Sequence, residues 1–279
     1  MTAGDVEVIK GKINSHLAVS FDDVDDELQI NAHAAARVAA NDTTGTYMFW
    51  FLPDNITGTY GLISCGDAVG GAVETFLIQQ AANDIRVYGR TQAAAGFDFI
   101  TTAAALVARE WVHITIVQDG TKPRIYINGT LVAATETVAT NADDWFDEWA
   151  GLDEGRIGCT TLNGGESEFL GGSIGPVKYW SVGLTAAQVA IEFNDDASHS
   201  TAEQAILDAA LEEQWDWDGL LTSSGGDATT AVVVAEAYLS GWTSEWSRLV
   251  ELRGYTHAND NFNTFRDGTE YVTIAIQGA

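Results

Sequence analysis

EWVHITIVQDGTKPRIYINGTLVA, residues 110–133, is the stretch on which the fold turns. Val112, Ile114 and Ile116 alternate with His113 and Thr115, and Ile125 and Ile127 alternate with Arg124 and Tyr126, the period of strands with one buried face. Asp119-Gly120 marks a turn between the two runs. Asn128-Gly129 then supplies the two residues tolerant of positive φ that a two-residue hairpin requires. The stretch predicts two antiparallel strands followed by a third. It carries no chemistry of its own, so function has to be reached through the fold.

Outward from this meander, the chain from Ile13 to about Phe193 is a succession of short β-like runs separated by Gly, Asn and Asp: LAVSF, ELQI, TYMFWFL, YGLISC, ETFLIQQ, DIRVYGR and FDFIT before it, RIGCTT and SIGPVKYW after it. Such close spacing predicts an antiparallel sandwich or jelly roll. TYMFWFL (residues 46–52) does not alternate, which predicts a strand covered on both faces. Pro176 is expected at a strand end or edge, because it donates no ladder hydrogen bond.

Two short helices follow. Thr185 with Gln188 forms a capping-box pattern ahead of Val189, Ile191 and Phe193, and Thr201 with Gln204 does the same ahead of Ile206, Leu207 and Leu211. The polar break NDDASHS between them suggests a boundary, giving a jelly-roll domain over 1–196 and an extension over 197–279. The extension carries the runs AVVVAEAYL, RLVELRGY and YVTIAIQ. The expected fold class is therefore all-β, a two-sheet antiparallel jelly-roll sandwich with a small C-terminal α+β extension.

The chain has 279 residues, 40 acidic against 13 basic, and a formal net charge of -27. A surface this negative repels phosphate backbones and anionic headgroups, which argues against nucleic-acid and membrane partners. Either solubility in a salty medium or a site for cations or a basic partner accounts for the charge. The apolar runs are far shorter than the roughly 20 residues of a membrane helix. The amino terminus has no apolar stretch of the secretory kind, so the chain is expected to be made in the cytoplasm without a signal peptide. Asn41, Asn55 and Asn128 each open an Asn-x-Thr triplet, read here as turn composition rather than glycosylation. Cys65 and Cys159 stand outside any zinc-binding spacing and are read as buried thiols or as a pair.

Several of these pieces together resemble the laminin G-like, concanavalin A-like jelly-roll superfamily. LAVSFDDVDDELQI is similar to its first hairpin, in which an apolar strand ends in Phe-Asp and an Asp-rich turn leads on. EWVHITIVQDGTKPRIYINGTLVA is similar to its central signature, and RIGCTT with FLGGSIGPVKYWSVGLTAAQVAIEFN to its closing part. The resemblance covers about residues 13–195. It departs from the pattern at Asp23, where Gly often follows the first Phe-Asp.

The resemblance also brings in glycoside hydrolases, whose carboxylates alternate along one strand in an E-x-D-x-E pattern. No such pattern occurs here. His16, His33, His113, His199 and His257 are scattered without a local nucleophile motif, and the chain is expected not to be an enzyme. Related folds hold calcium in rim loops, which makes Asp143, Asp144, Asp147 and Glu148 candidate metal ligands, and likewise Asp22, Asp23, Asp25 and Asp26. The stretch Asn259–Glu270 has Asn at odd positions but lacks the central Gly of a calcium loop. Each cluster reads equally as a solvated acidic loop. Trp145 and Trp149 either stack on sugar rings or close the end of the sandwich.

Two functions follow as expectations. The first is a non-enzymatic structural protein of a virus particle, a capsid decoration or tail component of a phage or archaeal virus. It would lie at the virion surface with other virion proteins or copies of itself as partners. Its motives are a solubilising anionic surface and a fold resembling extracellular modules without a secretory signal. On this reading Trp215, Trp217, Trp242 and Trp246 mediate assembly, since Trp is enriched at the centres of interfaces, or else they extend the core of the chain itself. The second is a lectin module that binds host glycans, with or without calcium.

Overall fold

The computed structural model describes residues 18–69, 71, 73–194, 200–217 and 226, and the backbone of strands at 232–234, 238–240, 262–267 and 270–275. Trp242, Trp246, His16, His199, His257 and the side chains of Asn259–Glu270 lie outside the described residues. The chain begins with β1 (Ala18–Asp22), β2 (Glu27–Gln29) and helix α1 (Asn31–Ala40). β3 (Gly45–Pro53), β4 (Thr59–Gly66), β5 (Thr75–Ala81), β6 (Asp84–Arg90) and β7 (Ala95–Thr101) follow. The meander is β8 (Val112–Gln118), β9 (Pro123–Ile127) and β10 (Thr130–Leu131), continued by β11 (Ala134–Ala139). Next come β12 (Glu154–Ile157), β13 (Thr160–Leu162), β14 (Gly165–Ser167) and β15 (Gly171–Trp180). Helices α2 (Ala186–Asn194) and α3 (Thr201–Ala210) precede β16 (Leu211–Trp215), β17 (Val232–Val234), β18 (Tyr238–Ser240), β19 (Phe262–Asp267) and β20 (Glu270–Ala275).

Two large antiparallel sheets form the sandwich. The first runs β10-β9-β8-β3-β15-β1-β18, with β16 also pairing β15, and the second runs β11-β7-β6-β5-β4-β12-β2-β17. The meander is as expected: Ile114 faces Ile127 and Ile116 faces Ile125 across β8 and β9. Asn128 and Gly129 take φ of 49° and 74°, the two positive values of the tight hairpin. The other two Asn-x-Thr asparagines also serve turns. Asn41 is the left-handed C-cap of α1, and the Asn55 side chain accepts from the backbone of Thr57.

One core lies between the sheets. Phe49, Phe51, Ile114 and Ile116 from the first sheet meet Phe76, Ile78, Val87 and Phe97 from the second, all fully buried. The unbroken TYMFWFL run is covered on both faces, as its pattern predicts. Its outward Met48 joins Val117, Trp180, Leu184, Val189 and Leu207 in a second cluster beneath α2 and α3. Two expectations shift. Pro176 sits inside the central strand β15, not at an end, and the register with β3 breaks between Ile174 and Val177, so a bulge absorbs the missing donor. The capping box of α3 is Ser200 with Glu203, one residue ahead of the predicted pair, whereas Thr185 and Gln188 cap α2 as read. Asp23, where the resembled pattern has Gly, takes φ 66°, a left-handed conformation that Asp tolerates better than most residues.

Candidate functional site

The acidic and aromatic candidates come first. Trp145, Phe146 and Trp149 recur with helical-turn spacing, which drives all three inward; both Trp are fully buried, and Phe76 lies 4.8 Å and 5.8 Å from their ring centroids. They close the sandwich from within and present no face to a sugar. The alternative of stacking is corrected by that burial. The intervening acids splay as a consequence. Asp143 and Glu148 are exposed and Asp144 is buried, so these three and Asp147 do not converge as metal ligands. Among the described residues one carboxylate group does converge: Asp22, Asp25 and Asp26 each place an oxygen within 4.8 Å of the others. Asp22 and Asp26 also accept from the backbone of Val24 and Asp22, so the turn itself uses part of their capacity. Asp23 points away from them, 3.5 Å from the Tyr60 hydroxyl.

Asp144 has a different property. Its Oδ2 is buried without a partner, and a Cβ on Gly96 would lie 2.2 Å from it. Burial, reinforced by Glu148, Asp143 and Asp147, raises its carboxyl to about 6. A raised carboxyl binds its proton more tightly in the folded chain. Stability from this group is therefore present below about pH 4 and lost as pH climbs through 6. Asp144→Asn is expected to stabilise the protein at pH 8 by on the order of 1–3 kcal/mol and to change little at pH 4. Urea unfolding at the two pH values checks this; an equal effect at both would remove the titration from the explanation.

Two further expectations are settled by burial. Trp215 and Trp217 are fully buried in the chain's own core, stacked at 6.5 Å, and the Trp217 indole donates to the Gly175 carbonyl at 2.7 Å. They extend the core and are not available to a neighbouring subunit. Cys65 and Cys159 are free and buried; burial pushes the Cys65 thiol up to about 12, and the Cys159 thiol donates to Glu27 at 3.0 Å. His113 is a buried β8 residue, its pKa driven down to about 3 by burial and then by Lys178. His33 is wholly buried, with Tyr47 Oη 2.7 Å from its Nε2. Neither histidine has a Ser or Cys side chain among its hydrogen-bond partners.

A polar array that the sequence reading passed over lies on the outer face of the second sheet. In β6, Ile85, Val87 and Gly89 are buried towards the core, so alternation turns Arg86, Tyr88 and Arg90 outward. The β13–β14 hairpin covers the outer face over β4 and β5. There the Gln79 amide donates to Thr160 Oγ1 at 3.1 Å and to Glu168 Oε2 at 2.6 Å. Beyond that cover, the outward Arg86, Tyr88 and Arg90 of β6 and Asp98 of β7 are each half-buried and keep contact with solvent. The Arg86 guanidinium donates through Nε and Nη2 to the two oxygens of Asp98, at 2.7 Å and 2.8 Å, and through Nη1 to Gln79 Oε1 at 3.2 Å. It also lies 4.8 Å above the centroid of the half-buried Tyr88 ring. Both partners keep solvent contact, at 32% for Arg86 and 15% for Asp98.

This face belongs to a known fold. A model of the concanavalin A-like lectin/glucanases superfamily matches residues 16–190. The chain belongs to that superfamily. Among solved structures it is similar to the CBM40 module of the Ruminococcus gnavus IT-sialidase bound to α2,3-sialyllactose. That match has a TM-score of 0.51 and 16% identity, over 63% of this chain and 97% of that one. It is also similar to the Streptococcus pneumoniae NanB sialidase, with a TM-score of 0.52 and 16% identity over 67% of this chain but only 28% of the enzyme. A Bacteroides ovatus protein proposed to bind carbohydrate matches with a TM-score of 0.51 and 15% identity, over 83% of this chain and 61% of its own. At such identities the likeness is one of fold. No curated protein sequence matches the chain. No helix among the described residues is long and apolar enough to cross a membrane.

Proposed function

We propose that the chain is a carbohydrate-binding module without catalysis of its own, and that the outer face of β6 and β7 receives the glycan. The observation that carries this reading is the Arg86–Asp98–Gln79 array held against Tyr88. Vicinal sugar hydroxyls each donate and accept, and a carboxylate fixed beside a guanidinium offers both functions side by side. An aromatic ring adds an apolar surface for the C–H face of a pyranose. Because Asp98 and Gln79 already hold Arg86 in place, little side-chain entropy remains to be lost on binding.

The fold likeness to sialidase carbohydrate-binding modules supports this reading over the virion one. No observation favours a capsid or tail role, and the buried Trp215 and Trp217 remove part of its motive. Calcium needs roughly six to eight oxygens, of which Asp22, Asp25 and Asp26 supply three. The proposed contacts do not depend on the ion.

The full chain on a glycan array, followed by titration with the best-retained sugar, tests the proposal. Arg86→Ala is expected to weaken binding at least tenfold, about the loss of one charge-assisted hydrogen bond, with cooperative unfolding preserved. Retention on no glycan, or full affinity in the variant, would refute the reading.

A further inference from the structure

We propose that the glycan taken by this face carries carboxylate groups and that Arg90 is the residue that receives them. This rests on the glycan-binding reading above and names its ligand class.

Arg90 differs from the other described basic residues apart from Arg109, which is exposed to solvent and has no need of a partner. Arg37, Arg86, Lys122, Arg124, Arg156 and Lys178 each lie within salt-bridge distance of a carboxylate. With 40 acidic residues in the chain, that pairing is the expected outcome. Arg90 has no such partner among the described residues, and its Nε is buried with no acceptor. A buried donor left unpaired is costly, and a planar fork of donors fits a carboxylate in two parallel hydrogen bonds.

The sheet accounts for the vacancy around it. The cross-strand neighbours of Arg90 are Thr75 on β5 and Ala95 on β7. Thr75 spends its hydroxyl on the carbonyl of Cys65 at 3.1 Å, and Ala95 has only a methyl group. Two residues back along the same face, Tyr88 has Asp98 opposite it, the residue that neutralises Arg86. The outer face of β6 thus presents one satisfied guanidinium, one ring and one unsatisfied guanidinium in a row. Alternate residues of a strand lie about 7 Å apart, near the span of one pyranose ring. A sugar seated over Tyr88 can turn its hydroxyls to Arg86 and Asp98 and its carboxylate to Arg90.

The net charge of -27 opposes an anionic ligand at long range. At physiological salt that repulsion is screened beyond about 8 Å, whereas a contact at the partly buried guanidinium is screened far less. The local pairing prevails.

Isothermal titration of the full chain at physiological salt with trigalacturonate, sialyllactose and neutral cellotriose tests the inference. At least one carboxylated sugar is expected to bind tenfold or more tightly than cellotriose, and which one identifies its source. Arg90→Gln is expected to lose at least tenfold affinity for it at an unchanged unfolding temperature. Arg90→Lys, which keeps the charge without the fork, should fall between. Cellotriose bound as tightly as either acid sugar, or Arg90→Gln binding like the parent, would overturn the role of Arg90 while the glycan-binding reading stands. Failure to bind any sugar in these titrations and on the array would overturn both.

Discussion

A chain ended at Asp196 is expected not to fold cooperatively. The removed segment contains α3 and β16, and β16 pairs with the central strand β15 from Val177–Trp215 to Trp180–Leu211. Through it Trp215 and Trp217 enter the core, fully buried, and Leu207 and Ala210 of α3 cover Met48, Val117 and Trp180. Emptying the volume of one buried Trp costs about 3–5 kcal/mol, so two amount to roughly 6–10 kcal/mol against the roughly 5–15 kcal/mol that holds a typical domain together. Polar partners are lost as well: wholly buried His33 lies 3.5 Å from Glu213 and 5.5 Å from the Trp215 ring. Near-ultraviolet circular dichroism and urea unfolding of the truncated chain provide the measurement. A sigmoidal transition with the native aromatic signal would mean that residues 1–196 fold unaided and that the burial of these tryptophans contributes far less than their volume implies.

The same two tryptophans show where the sequence was legible and where it was not. Turn chemistry and period-two alternation depend on neighbours a few residues away, so the Asn128-Gly129 hairpin, the meander and the doubly covered β3 could be read directly. Burial of Trp145 against Phe76 depends on a residue 69 positions away in sequence, which no local pattern contains. DDWFDEW looked like an acidic rim because four of its seven positions are acidic neighbours of exposed-looking rings. Its one local signal was the four-residue spacing of Trp145 and Trp149, which gathers apolar side chains on a single side. EEQWDWDG had an equivalent signal in the alternation of Trp215 and Trp217, but that pattern fits a core strand and an interface strand equally. The polar face of β6 was legible in principle. DIRVYGR alternates Arg, Tyr and Arg with apolar residues and Gly, yet only the structure shows that β13 packs over β4 and β5 while the outward residues of β6 stay half-buried.

Arg156→Met is expected to destabilise the protein by about 3–5 kcal/mol, the usual loss when one member of a buried ionic network is removed. The Arg156 side chain is 3% exposed and serves three carboxylates: Glu27 at 3.1 Å from Nε, and Glu154 and Glu166 at 3.3 Å and 2.8 Å from Nη2. Its Nη1 donates to Asn31 Oδ1 at 2.6 Å and to the Gly155 carbonyl at 3.0 Å. One guanidinium thereby joins β2, the start of α1, β12 and the β13–β14 hairpin that walls the proposed glycan face. Methionine fills much of the same volume, so packing loss is minor and charge decides the result. Without the cation Glu27 remains buried, with the Cys159 thiol donating to it and no positive charge beside it, and Glu154 and Glu166 repel each other. The deficit should therefore depend on acidity. Acidifying the solution neutralises stranded carboxylates, so the stability difference is expected to shrink between pH 7 and about pH 4.5. Arg156→Lys keeps one charge but cannot reach all three carboxylates and Asn31 together, and it should lose roughly 1–3 kcal/mol. Urea unfolding of the parent and both variants at pH 7 and pH 4.5 distinguishes the causes. A deficit in Arg156→Met that is the same at both pH values would assign the loss to the hydrogen bonds to Asn31 and Gly155 rather than to the stranded carboxylates.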